Sequence, residues 1–237
     1  MSNRTIQTEI FRGLAELQQS VVDLLSSEWQ GTRSLETSNA IMLPGGKTPL
    51  TIYQQLTQKS IPAPPHQHIL LSDERMVSID SPESNFSNLA PMLTACEFKK
   101  SQILRIKTER SPAEAAHNYG QQLSHYLNAG GRISLGILGL GTDGHTASLF
   151  TEQDLFRGMN DYAIDVTRPD TLKGISVTPH LLSHIEKIIF LVSGKNKTEM
   201  IRILQNDPVS IVAGQAVSQC RNVQIWTDRP TIENRYS

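Results

Sequence analysis

The chain has 237 residues, 38% of them apolar and 19% charged, enough for one large α/β domain or two small ones with a real core. Its 22 basic and 23 acidic side chains leave a net charge of −1, so no global basic field points to nucleic acid or an anionic membrane, and an anionic ligand needs a local cluster of donors. The two cysteines, Cys96 and Cys220, form neither a CxxC pair nor a Cys/His metal spacing; they read as free thiols in a reducing compartment, which excludes a disulfide scaffold.

In chain order, residues 6–29 read as an amphipathic helix, with Ile10, Leu14, Leu17, Val21, Leu24 and Leu25 at helical spacing. No signal-type apolar region follows the N-terminal charge, and no apolar run nears the ~20 residues of a membrane helix; the chain is read as cytoplasmic. Residues 40–43 form a buried strand that runs into Pro44-Gly45-Gly46-Lys47-Thr48-Pro49. A helix pattern follows (Leu50, Tyr53, Leu56), with Pro49 in its first turn and Thr48 as its cap. A second strand, 68–71, ends in Ser72-Asp73-Glu74-Arg75, and 78–84 is a loop. Helices are predicted over 85–94, capped by Ser84, and over 112–128, opened by the Ser111/Glu114 capping box. Residues 133–140 are the third clear strand. Further strands are read at 162–166, 174–178, 187–192 and 223–227, and further helices at 146–150, 179–184 and 195–205; 151–160 is irregular. Strands alternating with helices imply an α/β fold, a mainly parallel sheet with helices on both faces in a Rossmann-like open sandwich. No repeat or linker divides the chain, so residues 1–237 are expected to form a single domain.

Three strand ends carry the chemistry. At the first, Gly45 and Gly46 let backbone N–H groups approach an anion at a helix start, with Lys47 and Thr48 as further donors. A nucleotide P-loop is excluded because its first glycine would fall on Ile41. At the second, Arg75 can fork onto a phosphate and Asp73 can contact a sugar hydroxyl or orient a histidine. The third, within ISLGILGLGTDGHTASLF at 133–150, carries Gly139-x-Gly141-x-x-Gly144, with Asp165 about 20 residues on. This matches a dinucleotide fingerprint in form, but Asp143 and His145 bracket the glycine where helix packing is wanted, and the motif opens the second half of the chain. His145 is the first candidate for chemistry, since imidazole exchanges protons near neutral pH. Lys197 lies where it could reach a phosphate at the first loop. His180 and His184 have the i,i+4 spacing of helical metal ligands, but no HExxH or nearby carboxylate completes a site. No GxSxG elbow offers a serine nucleophile.

Together LPGGKTP, SDERMVSIDSPESN and LGLGTDGHTASLF, in this order and spacing, resemble the 6-phosphogluconolactonase family, which belongs with glucosamine-6-phosphate deaminases in one α/β superfamily. The resemblance implies a carboxylic ester hydrolase of the pentose phosphate pathway that opens 6-phosphoglucono-δ-lactone to 6-phosphogluconate without metal or cofactor, as a monomer or small homo-oligomer. It maps the catalytic histidine to His145, the phosphate loop to Gly45, Gly46, Lys47 and Thr48, and the cations to Arg75 and Lys197. Two positions depart from the pattern. Gly174 stands where relatives usually carry an arginine, leaving Lys173 or Arg168 to stand in, and Lys47 stands where serine is common. Deaminases also place a glutamate where this chain has Phe150.

The mechanism expected from this reading has neutral His145 take a proton from water attacking C1 and return it to the ring oxygen. Asp143 or Asp73 holds the imidazole tautomer, and backbone N–H groups from Gly141 to Gly144 steady the oxyanion. The phosphate fixes C1 by positioning. A sugar-phosphate sensor without catalysis and a deaminase are the rival readings. The sensor has no appended basic helix-turn-helix to support a regulatory role.

Overall fold

The computed structural model describes residues 6–32 and 37–228, except the side chains of Thr32 and Lys47. Side-chain alternation sets its centre. Along β2 (Asn39–Leu43), Ala40 and Met42 pack on one side and Ile41 and Leu43 on the other. A strand covered on both faces is the normal state in a parallel sheet. With β1 (Gln7–Ile10), β3 (Gln67–Leu71), β5 (Ile103–Leu104), β6 (Arg132–Leu138), β9 (Ile185–Val192) and β10 (Val223–Thr227), it forms a parallel sheet ordered β1-β10-β9-β6-β2-β3-β5.

Helices α1 (Leu14–Thr32), α2 (Lys47–Lys59) and α3 (Asn85–Ala95) cover one face, where Trp29, Tyr53 and Leu89 pack with Ile41, Ile69 and Leu135. On the other, Tyr119 and Leu123 of α4 (Pro112–Asn128) and Ile201 and Leu204 of α7 (Thr198–Asn206) pack with Met42, Leu70 and Ile188. Tyr119 ties α4 to β3, its hydroxyl donating to the Leu71 carbonyl at 2.6 Å and accepting from the Leu71 N–H at 3.1 Å. The chain steps from β2 outward through β3 and β5, then crosses back to β6 on the other side of β2. Carboxyl ends of β2 and β6 therefore flank a topological switch point, where open α/β sheets bind ligands.

A second sheet sits beyond that edge. β4 (Asp73–Arg75), β8 (Lys173–Val177) and β7 (Ala163–Thr167) pair antiparallel, with β8 in the middle. The segments read at 162–166 and 174–178 are thus strands, but they do not join the parallel sheet, and the charged Asp73-Glu74-Arg75 is strand rather than a strand-end loop.

Other expectations need correction. Residues 6–29 are not one helix: Gln7–Ile10 is an edge strand on β10, and the helix starts at Leu14. Residues 146–150 are not helical. Thr146 and Leu149 bridge across a tight turn with Ala147 at φ 49°, a left-handed conformation that no helix admits. Within 151–160 lies a short helix, α5 (Glu152–Arg157), capped by Thr151 and Asp154. The remaining short helices are α6 (Pro179–Ser183), capped by Thr178, and α8 (Val212–Ala216), which carried no sequence signal. The capping predictions at Ser84 and at Ser111/Glu114 hold. Both cysteines are buried and neither joins a disulfide among the described residues, and burial pushes the Cys96 thiol up to about 11. Among the described residues no helix is long and apolar enough to cross a membrane.

Candidate active site

Each strand end at the switch point builds one wall of a cleft. Helix α2 begins directly after Gly46, whose φ of 97° is a left-handed value open to glycine. Lys47 is its first residue, so Thr48 does not cap it, and the N-cap Gly46 has no side chain with which to do so. The first N–H groups of any helix lack intrahelical partners, which leaves this start suited to an anion.

The second wall is β4 and the start of α3. Glu74 is 1% exposed and its carboxylate accepts from the N–H groups of Arg75, Asn85 and Phe86 at 2.9, 2.7 and 2.8 Å, and from the Ser84 hydroxyl at 3.1 Å. It thereby satisfies the free donors at the α3 N-terminus and fixes Arg75 beside them. Burial pushes the Glu74 carboxyl above its ordinary range, against the pull of those hydrogen bonds. Asn85, also 1% exposed, donates from Nδ2 to the Asp73 carbonyl at 2.9 Å. Its Oδ1 faces Gly45, where an added Cβ would come within 1.8 Å, and has no hydrogen-bond partner among the described residues. Gly45 is thus required for close approach, with no appeal to its φ.

The third wall is the turn after β6. Nδ1 of His145 lies 2.5 Å from Oδ1 of Asp143, which also accepts from the His145 N–H at 3.3 Å. An ionised carboxylate only accepts, so Nδ1 carries a proton, and whenever the ring is neutral the lone pair is on Nε2. Burial works to raise the Asp143 carboxyl, but the hydrogen bond and charge of His145 outweigh it and hold it below its ordinary value. Gly141 makes room for the pair: a Cβ there would lie 2.2 Å from Nδ1 and 2.3 Å from Oδ1. Phe150 packs on the imidazole with ring centroids 4.5 Å apart.

These walls enclose a cleft of about 210 Å³ lined by Gly45, Gly46, Asp73, Arg75, Asn85, Gly141, His145, Arg168 and Lys197, among others. Of the residues predicted from sequence, Gly45, Gly46, Asp73, Arg75, Gly141, His145 and Lys197 line it. Thr48 instead lines an adjoining cavity of about 180 Å³, which shares Gly45, Gly46 and Lys197 with the cleft. The side chain of Lys47 lies outside the described residues. Lys197 donates to the Leu140 carbonyl at 2.6 Å; burial lowers its pKa, opposed by the nearby Asp143 charge.

Three expectations change. Asp143, not Asp73, is the carboxylate on His145: Asp73 accepts from Ser72 and Ser148 hydroxyls, each at 2.7 Å. Gly144 is a structural glycine, at φ 84° and packed on Ile211, with its carbonyl accepting from Ala213. The Gly141 and Gly144 N–H groups already donate, to the His145 and Gly141 carbonyls at 2.8 and 3.3 Å, so they are not donors waiting for an oxyanion. Sequence reasoning missed Glu74, Asn85 and Ser148. Asn85 sits inside a motif it had singled out, read there only as a helix start.

A family model described as glucosamine-6-phosphate isomerases/6-phosphogluconolactonase matches residues 13–226. The chain is 31% identical over 174 residues to a 6-phosphogluconolactonase of Thermotoga maritima, covering 71% of this chain and 76% of that one. It is 31% identical over 198 residues to one from Synechocystis sp., covering 81% and 78%. The fold matches that of a 6-phosphogluconolactonase from Trypanosoma cruzi with a TM-score of 0.83 across 100% of this chain and 99% of that one, at 20% identity.

Proposed function

The chain belongs to the glucosamine-6-phosphate isomerase/6-phosphogluconolactonase family, and from that premise we propose that it hydrolyses 6-phosphoglucono-δ-lactone to 6-phosphogluconate. The observation that carries this reading is the His145–Asp143 pair standing in one cleft with Arg75, Lys197 and the open start of α2. The curated relatives named lactonases agree with it.

Asp143 holds the Nδ1 proton of His145 in place, so Nε2 takes a proton from water as its oxygen attacks the lactone carbonyl. The carbonyl carbon becomes tetrahedral. As the ring C–O bond breaks, the imidazolium gives its proton to the departing ring oxygen, leaving the carboxylic acid, which ionises. Base catalysis of this kind is worth roughly 10²–10⁴-fold. Gly45, Gly46 and the α2 start hold the phosphate with Arg75 and Lys197, so C1 meets the imidazole by position. Lys47 and Thr48, the first residues of α2, serve as supporting donors. Asp73 faces the cleft with its carboxylate braced by two hydroxyls and contacts a sugar hydroxyl. Residues 1–237 act as one catalytic domain, in the cytoplasm, on a small sugar-phosphate lactone.

Phe150 favours the lactonase over the deaminase. An apolar ring lies on His145, and it can neither accept from the imidazole nor relay a proton. The test is a pH-stat assay on freshly made 6-phosphoglucono-δ-lactone, run beside an ammonia assay on glucosamine 6-phosphate. Lactone opening well above the spontaneous rate with no ammonia release is expected. Ammonia release would support a deaminase, and sugar-phosphate binding with no turnover of either compound a sensor.

A further inference from the structure

We propose that Arg168, which runs past Gly174 to the cleft, is a second arginine for the substrate's phosphate; this rests on the lactonase reading above. Arg168 directly follows β7 and opens the turn into β8, its N–H donating to the Leu172 carbonyl at 2.9 Å. In the β7–β8 ladder Val166 stands opposite Gly174. A Cβ on Gly174 would lie 3.4 Å from Cδ of Arg168, 3.5 Å from Cγ2 of Val166 and 3.3 Å from the Glu74 carbonyl oxygen. The stem of Arg168 therefore passes in van der Waals contact with the place a Cβ at 174 would take.

The guanidinium ends at the cleft. Its carbon lies 5.4 Å from the ring centroid of Phe150, the same ring that packs on His145. Nη1 donates to the Ser148 hydroxyl at 3.3 Å, and Nε and Nη2 meet the Asp170 carboxylate at 3.3 Å. An engaged arginine–carboxylate fork closes to about 2.7–2.9 Å, so every one of these contacts is long. The side chain is nevertheless only 16% exposed, against 49% for Asp170. A cation largely withdrawn from water, held loosely by a half-exposed carboxylate, is poised to exchange that partner for a better one. Arg75 and Arg168 together line both the cleft and a neighbouring groove of about 390 Å³, with Gly46 beside them in each. A phosphate dianion offers three acceptor oxygens, enough to take a fork from each arginine while resting on the glycine loop.

The experiment compares wild type, Arg168→Ala and Arg168→Lys on 6-phosphoglucono-δ-lactone and on unphosphorylated glucono-δ-lactone, with inorganic phosphate titrated calorimetrically into each protein. For the alanine variant, KM for the phosphorylated lactone should rise roughly 10–100-fold. Its kcat/KM should fall at least tenfold further on the phosphorylated than on the unphosphorylated compound, and phosphate should bind more weakly. Lysine, a point charge without a fork, should fall between. An unchanged KM with unchanged phosphate binding would overturn the proposal, and so would equal losses on both lactones, which mark a merely structural arginine. A wild type that opens neither lactone would contradict the lactonase reading instead, and the phosphate titration would still decide the role of Arg168.

Discussion

Nδ1 of His145 is committed to Asp143 at 2.5 Å, so the base chemistry rests on Nε2 and on the charge of one carboxylate. Asp143→Asn keeps the shape but no longer demands the Nδ1 proton, and kcat should drop at least about tenfold while KM changes little. The same variant carries a pH signature. The folded Asp143 carboxyl sits below its ordinary value, so between the folded and unfolded values the native state binds fewer protons and stability rises with pH. That contribution is complete above the unfolded value, about pH 4, and disappears as pH falls through the folded one. Melting temperatures of wild type and Asp143→Asn should therefore differ by a constant amount from pH 5 upward and converge below pH 4. A constant gap down to pH 2 would remove the linkage. At this scale the sequence was informative: a strand ending in Gly-x-Gly-x-Asp-Gly-His places its imidazole by local geometry alone. It left Arg168 as one of two stand-ins beside Lys173 and read Asn85 only as a helix start, because what Arg168 touches depends on pairing across the β7–β8 ladder, and what Asn85 touches on a glycine 40 residues earlier in the chain.

Between elements, Glu74 does the joining. One buried carboxylate caps α3 and anchors Arg75, linking the second sheet to the helix layer. Glu74→Ala would strand those buried donors and should cost about 2–4 kcal/mol in urea unfolding, with KM rising as Arg75 loosens. The sign with pH is opposite to that of Asp143. Burial raises the Glu74 carboxyl, so the native state holds its proton more tightly than the unfolded chain. Wild-type stability then declines from about pH 4.3, the unfolded value, up through the folded value, and this component is absent from Glu74→Ala. A variant that keeps both full stability and the decline would sink the capping role. Local caps were legible because Ser111 and Glu114 lie three residues apart and bond each other directly. The second sheet was not, since Asp73-Glu74-Arg75 looks like a solvated loop until β8, a hundred residues later, pairs with it. The turn at 146–150 was misread because small residues fit a helix as well as they fit the left-handed bend at Ala147.

Across the whole molecule, the parallel sheet brings the ends of β2 and β6 together at the point where the strand order reverses, and the antiparallel sheet closes the cleft from the side. The first of these follows from strand–helix alternation and was legible; the second depends on pairing order, which periodicity does not encode. The account stands on His145 moving the proton in lactone opening. Its most direct test is kcat of His145→Ala on 6-phosphoglucono-δ-lactone, corrected for spontaneous hydrolysis, with 6-phosphogluconate affinity measured on the same preparation. The predicted result is a loss of at least about tenfold in kcat with product affinity nearly intact; turnover equal to wild type at intact affinity would contradict it.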